Sequence, residues 1–225
     1  MEPKLFDVRA DRDNLNSIVV EYLKEAILSG TYNEGDRIVE TEVADHLGVS
    51  RAPIREAIRE LEKEGIVETK PRRGSFVTKY SLEDIKEIFD IRLLLENNIN
   101  KILIDEDRLG DIDYFNLTNM VREMEAVAGD ETISDHEKYL RMNRYDMDFH
   151  RYIWRKSDSK RRVEMLETIF FQLRIAMIFD MQKTGDFFIS ATDHYAIIDA
   201  LRSKNIEQCK VALQEHIISY KEGTF

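Results

Sequence analysis

The stretch "VSRAPIREAIRELEKEGIVETKPRRGSFV" (49–77) decides how the first third of the chain folds. Ile54, Ala57, Ile58 and Leu61 recur at helical spacing, which predicts a helix with one buried stripe. Ser50 stands where an N-cap belongs, and Pro53 falls in the first turn, where proline is tolerated. Gly65 ends the helix. Beyond it, "IVETK" (66–70) and "SFVTKY" (75–80) read as short strands joined by "PRRG", a hairpin signal.

Working outward, Leu15, Ile18, Val19, Tyr22, Leu23 and Ile27 predict a helix over 15–28 that Gly30 stops. "NEGDR" (33–37) reads as a turn, and Thr41 is placed to cap a short helix over 42–47. This order of helices followed by a hairpin is that of a winged helix-turn-helix. Arg51, Arg55 and Arg59 fall four apart, on the face of their helix opposite the apolar stripe. Such a row suits a DNA major groove, because a guanidinium chelates guanine O6 and N7 or clamps phosphates. Arg72 and Arg73 at the hairpin tip add a backbone or minor-groove contact, and Gly74 permits close approach. The competing reading pairs Arg55 and Arg59 with Glu56, Glu60 or Glu62 on a solvated face. Spacing alone leaves both open.

The rest of the composition narrows the class. At 225 residues and 43% hydrophobic, the chain can hold one large domain or two small ones with an ample core. No apolar run reaches the ~18–20 residues of a membrane helix, and the charged start "MEPKLFDVRADRDN" lacks a secretory pattern. A single cysteine, Cys209, rules out an internal disulfide and fits a reducing cytoplasm. The net charge of −11 argues against nucleic acid unless positive charge is local. It is local: residues 51–73 carry seven Lys and Arg against five Glu.

Helical periodicity returns at Ser81 and continues to Tyr220, which predicts a mainly α chain with a DNA-binding domain at 1–80 and an all-helical domain at 81–225. About six helices are expected, over 82–107, 110–128, 135–156, 159–183, 187–203 and 206–221. Within "YDMDFH" (145–150), Asp146 and His150 share a face with Tyr139, Met142, Phe149 and Ile153, so both point inward. His194 aligns with Ile197, Ile198 and Leu201, and His216 with Cys209, Ala212 and Leu213. Taken singly, each histidine reads as a satisfied core residue. Three of them on separate helices beside an inward carboxylate that needs a partner point to a divalent metal. Zinc comes first, with nickel, manganese or iron as alternatives. Arg92, in line with Ile88, Phe89, Leu95 and Ile99, either grips a ligand carboxylate or pairs with Glu96. Arg174, in line with Leu166, Phe170 and Met177, is a second candidate of the same kind.

"ETEVADHLGVSRAPIREAIRELEKEGIVETKPRRGSFV" (40–77) resembles the winged-helix domain of GntR-family transcriptional regulators. That resemblance implies operator contacts from Arg51, Arg55 and Gly74, helped by Thr41, Ala52 and Arg73, beside the groove-facing Arg59. "DMDFH" (146–150), "DHYAIIDAL" (193–201) and "KVALQEH" (210–216) resemble the FCD effector domain of the FadR-type branch. Its metal-binding members imply Asp146, His150, His194 and His216 as ligands, with open coordination positions for a small organic acid near Arg92. The expected protein is a homodimeric, metabolite-responsive repressor on a pseudo-palindromic operator, with no membrane partner and no enzymatic role. A constitutive or directly metal-sensing regulator with a structural metal is the alternative. A metal-dependent enzyme would need a general base that no spacing supplies.

Overall fold

The computed structural model describes residues 12–178 and 187–222. They fall into two compact units, one ending at Tyr80 and the other beginning at Ser81.

The first unit runs α1 (Arg12–Leu28), β1 (Arg37–Ile38), α2 (Glu40–Leu47), α3 (Arg51–Lys63), β2 (Val67–Lys70) and β3 (Gly74–Val77). α1 packs on α3, and Val19, Leu23 and Ile27 are buried together with Ile54, Ile58 and Leu61. The strands form an antiparallel sheet in the order β1-β3-β2, with Val67 opposite Val77, Lys70 opposite Gly74, and Arg37 opposite Phe76. Gly74 has φ +107, and a Cβ there would come within 2.9 Å of the Arg37 guanidinium. L side chains rarely adopt that φ, and a Cβ there would push the Arg37 guanidinium aside.

Two local expectations are corrected here. α2 starts at Glu40 with Val39 at the N-cap, so Thr41 lies inside the first turn and does not cap it. Arg37, read as the end of a turn, belongs to β1. Ser50 does occupy the N-cap of α3 with extended backbone, but its side chain makes no capping hydrogen bond.

The second unit is built from α4 (Leu82–Asp105), α5 (Asp111–Ala128), α6 (Asp135–Lys156), α7 (Lys160–Ile178), α8 (Phe187–Thr192), α9 (His194–Arg202) and α10 (Ile206–Glu222). α4 opens with a capping box: the Ser81 hydroxyl accepts from the Asp84 backbone N–H, and the Asp84 carboxylate accepts from the Ser81 N–H. The expected helix over 159–183 is seen to Ile178, and its last residues lie outside the described ones. The helix expected over 187–203 is two, so the unit has seven helices among the described residues where about six were expected. They part at Asp193. The His194 Nδ1 donates at 3.0 Å to the Ser190 carbonyl, the acceptor that its backbone N–H would use in an unbroken helix.

The core of this unit gathers Phe89, Ile99, Leu103, Leu117, Met124, Phe149, Trp154 and Leu166. Each such side chain contributes roughly 1.5–3 kcal/mol by leaving water. Cys209 is buried in it, which pushes its thiol up to about 11. No helix among the described residues is long and apolar enough to cross a membrane.

Phe149 is fully buried and meets the His150 and His194 rings edge-on at 5.4 and 4.6 Å. Phe149→Ala should destabilise the helical unit by about 3–5 kcal/mol, read from urea denaturation followed by circular dichroism. A loss under about 1 kcal/mol would show that the cluster holds its shape without this ring.

Candidate functional site

α6 supplies two members of a buried cluster because a four-residue step brings Asp146 and His150 to one face. His194 opens α9, and His216 comes from α10. One ligating atom from each of Asp146, His150, His194 and His216 lies within 4.8 Å of all the others, and all four residues are buried. Asp146 Oδ1 sits 3.0 Å from His194 Nε2, 3.5 Å from His216 Nε2 and 3.8 Å from His150 Nε2. The two Nε2 atoms of His150 and His216 are 3.2 Å apart.

The outward faces of the rings fix what the inward faces offer. His150 Nδ1 donates to Glu96 Oε2 at 3.0 Å, and His194 Nδ1 to the carbonyls of Ser190 and Ala191 at 3.0 and 3.2 Å. A neutral imidazole has one proton, so both rings turn a lone pair at Nε2 towards the cluster. His194 makes the demand plainest. It stands between acceptors on both nitrogens, so its Nε2 needs either a second proton or a cation facing the carboxylate. Imidazoles held from behind by carboxylate or carbonyl, converging with one aspartate, form the donor set of a borderline divalent cation.

Charge follows the same geometry. Burial pushes Asp146 up, but its close contacts with His194 and His216 and the nearby His150 outweigh it, and the group lies well below the usual carboxylate range. Burial pushes His216 down to about 3, against the upward pull of Asp146. The cluster therefore presents a carboxylate and a neutral ligand ring from these two residues.

Arg92 and Glu96 border the site from α4. Arg92 Nε donates to Glu96 Oε1 at 2.6 Å, and Arg92 Nη2 donates to His150 Nε2 at 3.0 Å. The i,i+4 pair thus forms, and the same arginine reaches the cluster. Burial raises Glu96, but His150 and the Arg92 guanidinium beside it hold it far below its ordinary value. Glu96 is the residue that sequence reasoning treated only as a bland partner. Its sole signal was its place four residues after an inward arginine. Arg174, on α7, is within electrostatic reach of Tyr139 and Asp146, and burial pulls its guanidinium down against them. Its Nε has no hydrogen-bond partner among the described residues.

In the first unit, Thr41, Arg51, Ala52, Arg55, Arg59 and Arg73 are all exposed, and Gly74 is half-buried at the start of β3. Arg51 and Arg55 do not pair with the glutamates of their own helix. Both donate to Glu40 Oε2 on α2, at 2.9 and 2.8 Å. Burial raises Glu40, but the two guanidinium groups together bring it below the usual range. Glu60 instead accepts from Asn16, and Glu62 from the Thr69 backbone. Glu40, and Arg37 beside Gly74, are residues of this unit that no spacing pointed to.

Residues 15–77 match the family of bacterial regulatory proteins called gntR, and residues 87–219 match the FCD domain. The HTH-type transcriptional regulator YdhC of Bacillus subtilis is 30% identical over 200 residues, covering 88% of this chain and 84% of that protein. The gluconate operon transcriptional repressor of Bacillus subtilis is 36% identical over 85 residues, 38% of this chain and 35% of the repressor. Among solved structures, Escherichia coli McbR/YncC shares the fold with a TM-score of 0.77, at 20% identity over 92% of this chain and 95% of that one. The chain belongs to the GntR family of DNA-binding transcriptional regulators, with an FCD domain as its helical unit.

Proposed function

We propose that this regulator is a metabolite-responsive repressor whose helical unit binds one divalent metal ion and a small carboxylate effector. The observation that carries the reading is the buried convergence of Asp146, His150, His194 and His216 within 4.8 Å. Zinc suits three imidazoles and one carboxylate best, and nickel, manganese and iron accept the same donors. When bound, the ion would supply a fixed positive charge with coordination positions open to an oxygen ligand. Arg92 and Arg174 bring guanidinium groups to the same region for the effector's carboxylate.

The output is DNA binding. Arg51, Arg55 and Arg59 face the major groove, Thr41 and Ala52 line its approach, and Arg73 and Gly74 carry the wing to the neighbouring backbone. One recognition helix reads only a few base pairs. Two copies of the chain as a homodimer would meet a pseudo-palindromic operator in the cytoplasm. The name of the gluconate operon repressor, similar over part of this chain, favours repression as the direction. Effector binding changes operator affinity only to the extent that the effector prefers one conformation of the dimer.

Two experiments test the parts separately. Purified wild-type protein should carry about one divalent ion per chain by elemental analysis, and Asp146→Ala/His194→Ala should carry none. Metal retained by the double variant would discard the ligand set. On an operator fragment selected from random duplex DNA with the wild-type protein, Arg55→Ala should weaken binding by roughly 1–3 kcal/mol in fluorescence anisotropy. Unchanged affinity would take α3 out of the groove.

A further inference from the structure

Arg92 holds a position that the metal reading leaves unexplained. Its Nη2 is 3.0 Å from His150 Nε2, the atom that would ligate the ion. The partners of the two His150 nitrogens set which one donates and which one accepts. Nδ1 faces the Glu96 carboxylate at 3.0 Å, so Nδ1 carries a proton. Nε2 faces a guanidinium N–H, so Nε2 offers a lone pair. An imidazole nitrogen has one lone pair in the ring plane. It can accept from Arg92 or bind a cation, but not both.

We infer that Arg92 is the resident cation of the metal-free site, and that metal and arginine exchange places on His150. The inference rests on the metal reading above and adds a residue that sets metal affinity. Without metal, the interior holds the carboxylates of Asp146 and Glu96, and the Arg92 guanidinium offsets part of that charge. This explains why an arginine only 3% exposed reaches past its own helix to a histidine on another. Metal loading takes the lone pair and releases Nη2. Arg92 Nε stays tied to Glu96 at 2.6 Å, and its Cζ lies 4.6 Å above the Phe170 ring, so the stem and one edge of the guanidinium keep their supports. The released Nη2 then offers a donor beside a dication. That is a receptor for a small oxyanion, and a carboxylate matches its planar geometry. Metal would therefore arm the effector site, and by linkage a bound carboxylate would tighten metal binding.

The probe is zinc alone, titrated into full-length, chelator-stripped protein against a chromophoric competitor at fixed pH. Arg92→Met keeps the stem over Phe170 but removes the charge and the donors. It should bind zinc about tenfold or more tightly than wild type, because a positive charge that competes for the site has gone. Arg92→Gln retains reach to Glu96, should shift in the same direction, and replaces Arg92→Met if that variant does not fold. A variant that merely loosened the core would lose zinc affinity, so the sign of the change separates the two. Equal or weaker zinc binding in a folded Arg92 variant overturns the inference while leaving the metal site standing. No zinc binding by wild type, or equal binding by Asp146→Ala/His194→Ala, removes the metal reading and this inference with it.

Discussion

The helical unit is organised around one buried carboxylate. Asp146 is withdrawn from water among aromatic and aliphatic side chains, where an uncompensated charge is costly. Compensation has to arrive from other elements, and it does: His194 from α9, His216 from α10, and His150 one turn along α6. Each histidine imposes a demand of its own. His150 recruits Glu96 from α4, and Glu96 recruits Arg92. His194 takes the Ser190 carbonyl, and the helix expected to run through residues 187–203 parts at that point. A single ionised group thus dictates side-chain choice on four helices and a break between two of them. Hydrophobic packing alone would have fixed none of these identities, since an apolar residue at each position would fill the same volume.

The DNA-facing unit follows the opposite logic, with charges kept at the surface and held lightly. Glu40 gathers Arg51 and Arg55 onto one oxygen, and both arginine side chains remain about half exposed. Exposed pairs of this kind are worth roughly 0–1 kcal/mol, so they order the guanidinium groups without trapping them. Under the proposed reading, a phosphate or a guanine edge would replace the carboxylate at little cost, and the tether would reduce the side-chain entropy lost on binding. Gly74 and Arg37 show the same economy in the wing: the missing Cβ is what lets a second basic side chain lie across the strand.

Periodicity and residue chemistry made most of this legible. α1, α3 and the hairpin were readable because apolar spacing and terminal Gly, Ser and Pro agree with one another. The long helices of the second unit were readable for the same reason, as was the inward direction of Asp146, His150, His194 and His216. What escaped was set by tertiary contacts. β1 is two residues long and exists only because β3 offers it an edge. The start of α2 at Glu40 overrides the better capping residue Thr41, and the α8–α9 break carries no Gly or Pro. Glu40 and Glu96 look like solvated acids in one dimension. Their roles depend on partners eleven or more residues away, Arg51 for Glu40 and His150 for Glu96, which local spacing does not register.

α4 shows how a change at the buried cluster can leave it. This helix begins two residues after Tyr80, where the DNA-facing unit ends, is fixed at its start by the Ser81–Asp84 capping box, and runs unbroken from Leu82 to Asp105 with no Gly or Pro. Arg92 and Glu96 lie on it, about 15–21 Å along the axis from its first turn at the usual helical rise. Between those points nothing in the sequence offers a hinge. A displacement of the helix at Arg92 would therefore reach Ser81 as movement of a rigid rod. Among the described residues, Arg92 is the guanidinium that bonds to His150, and it stands on the helix that follows the covalent link between the two units.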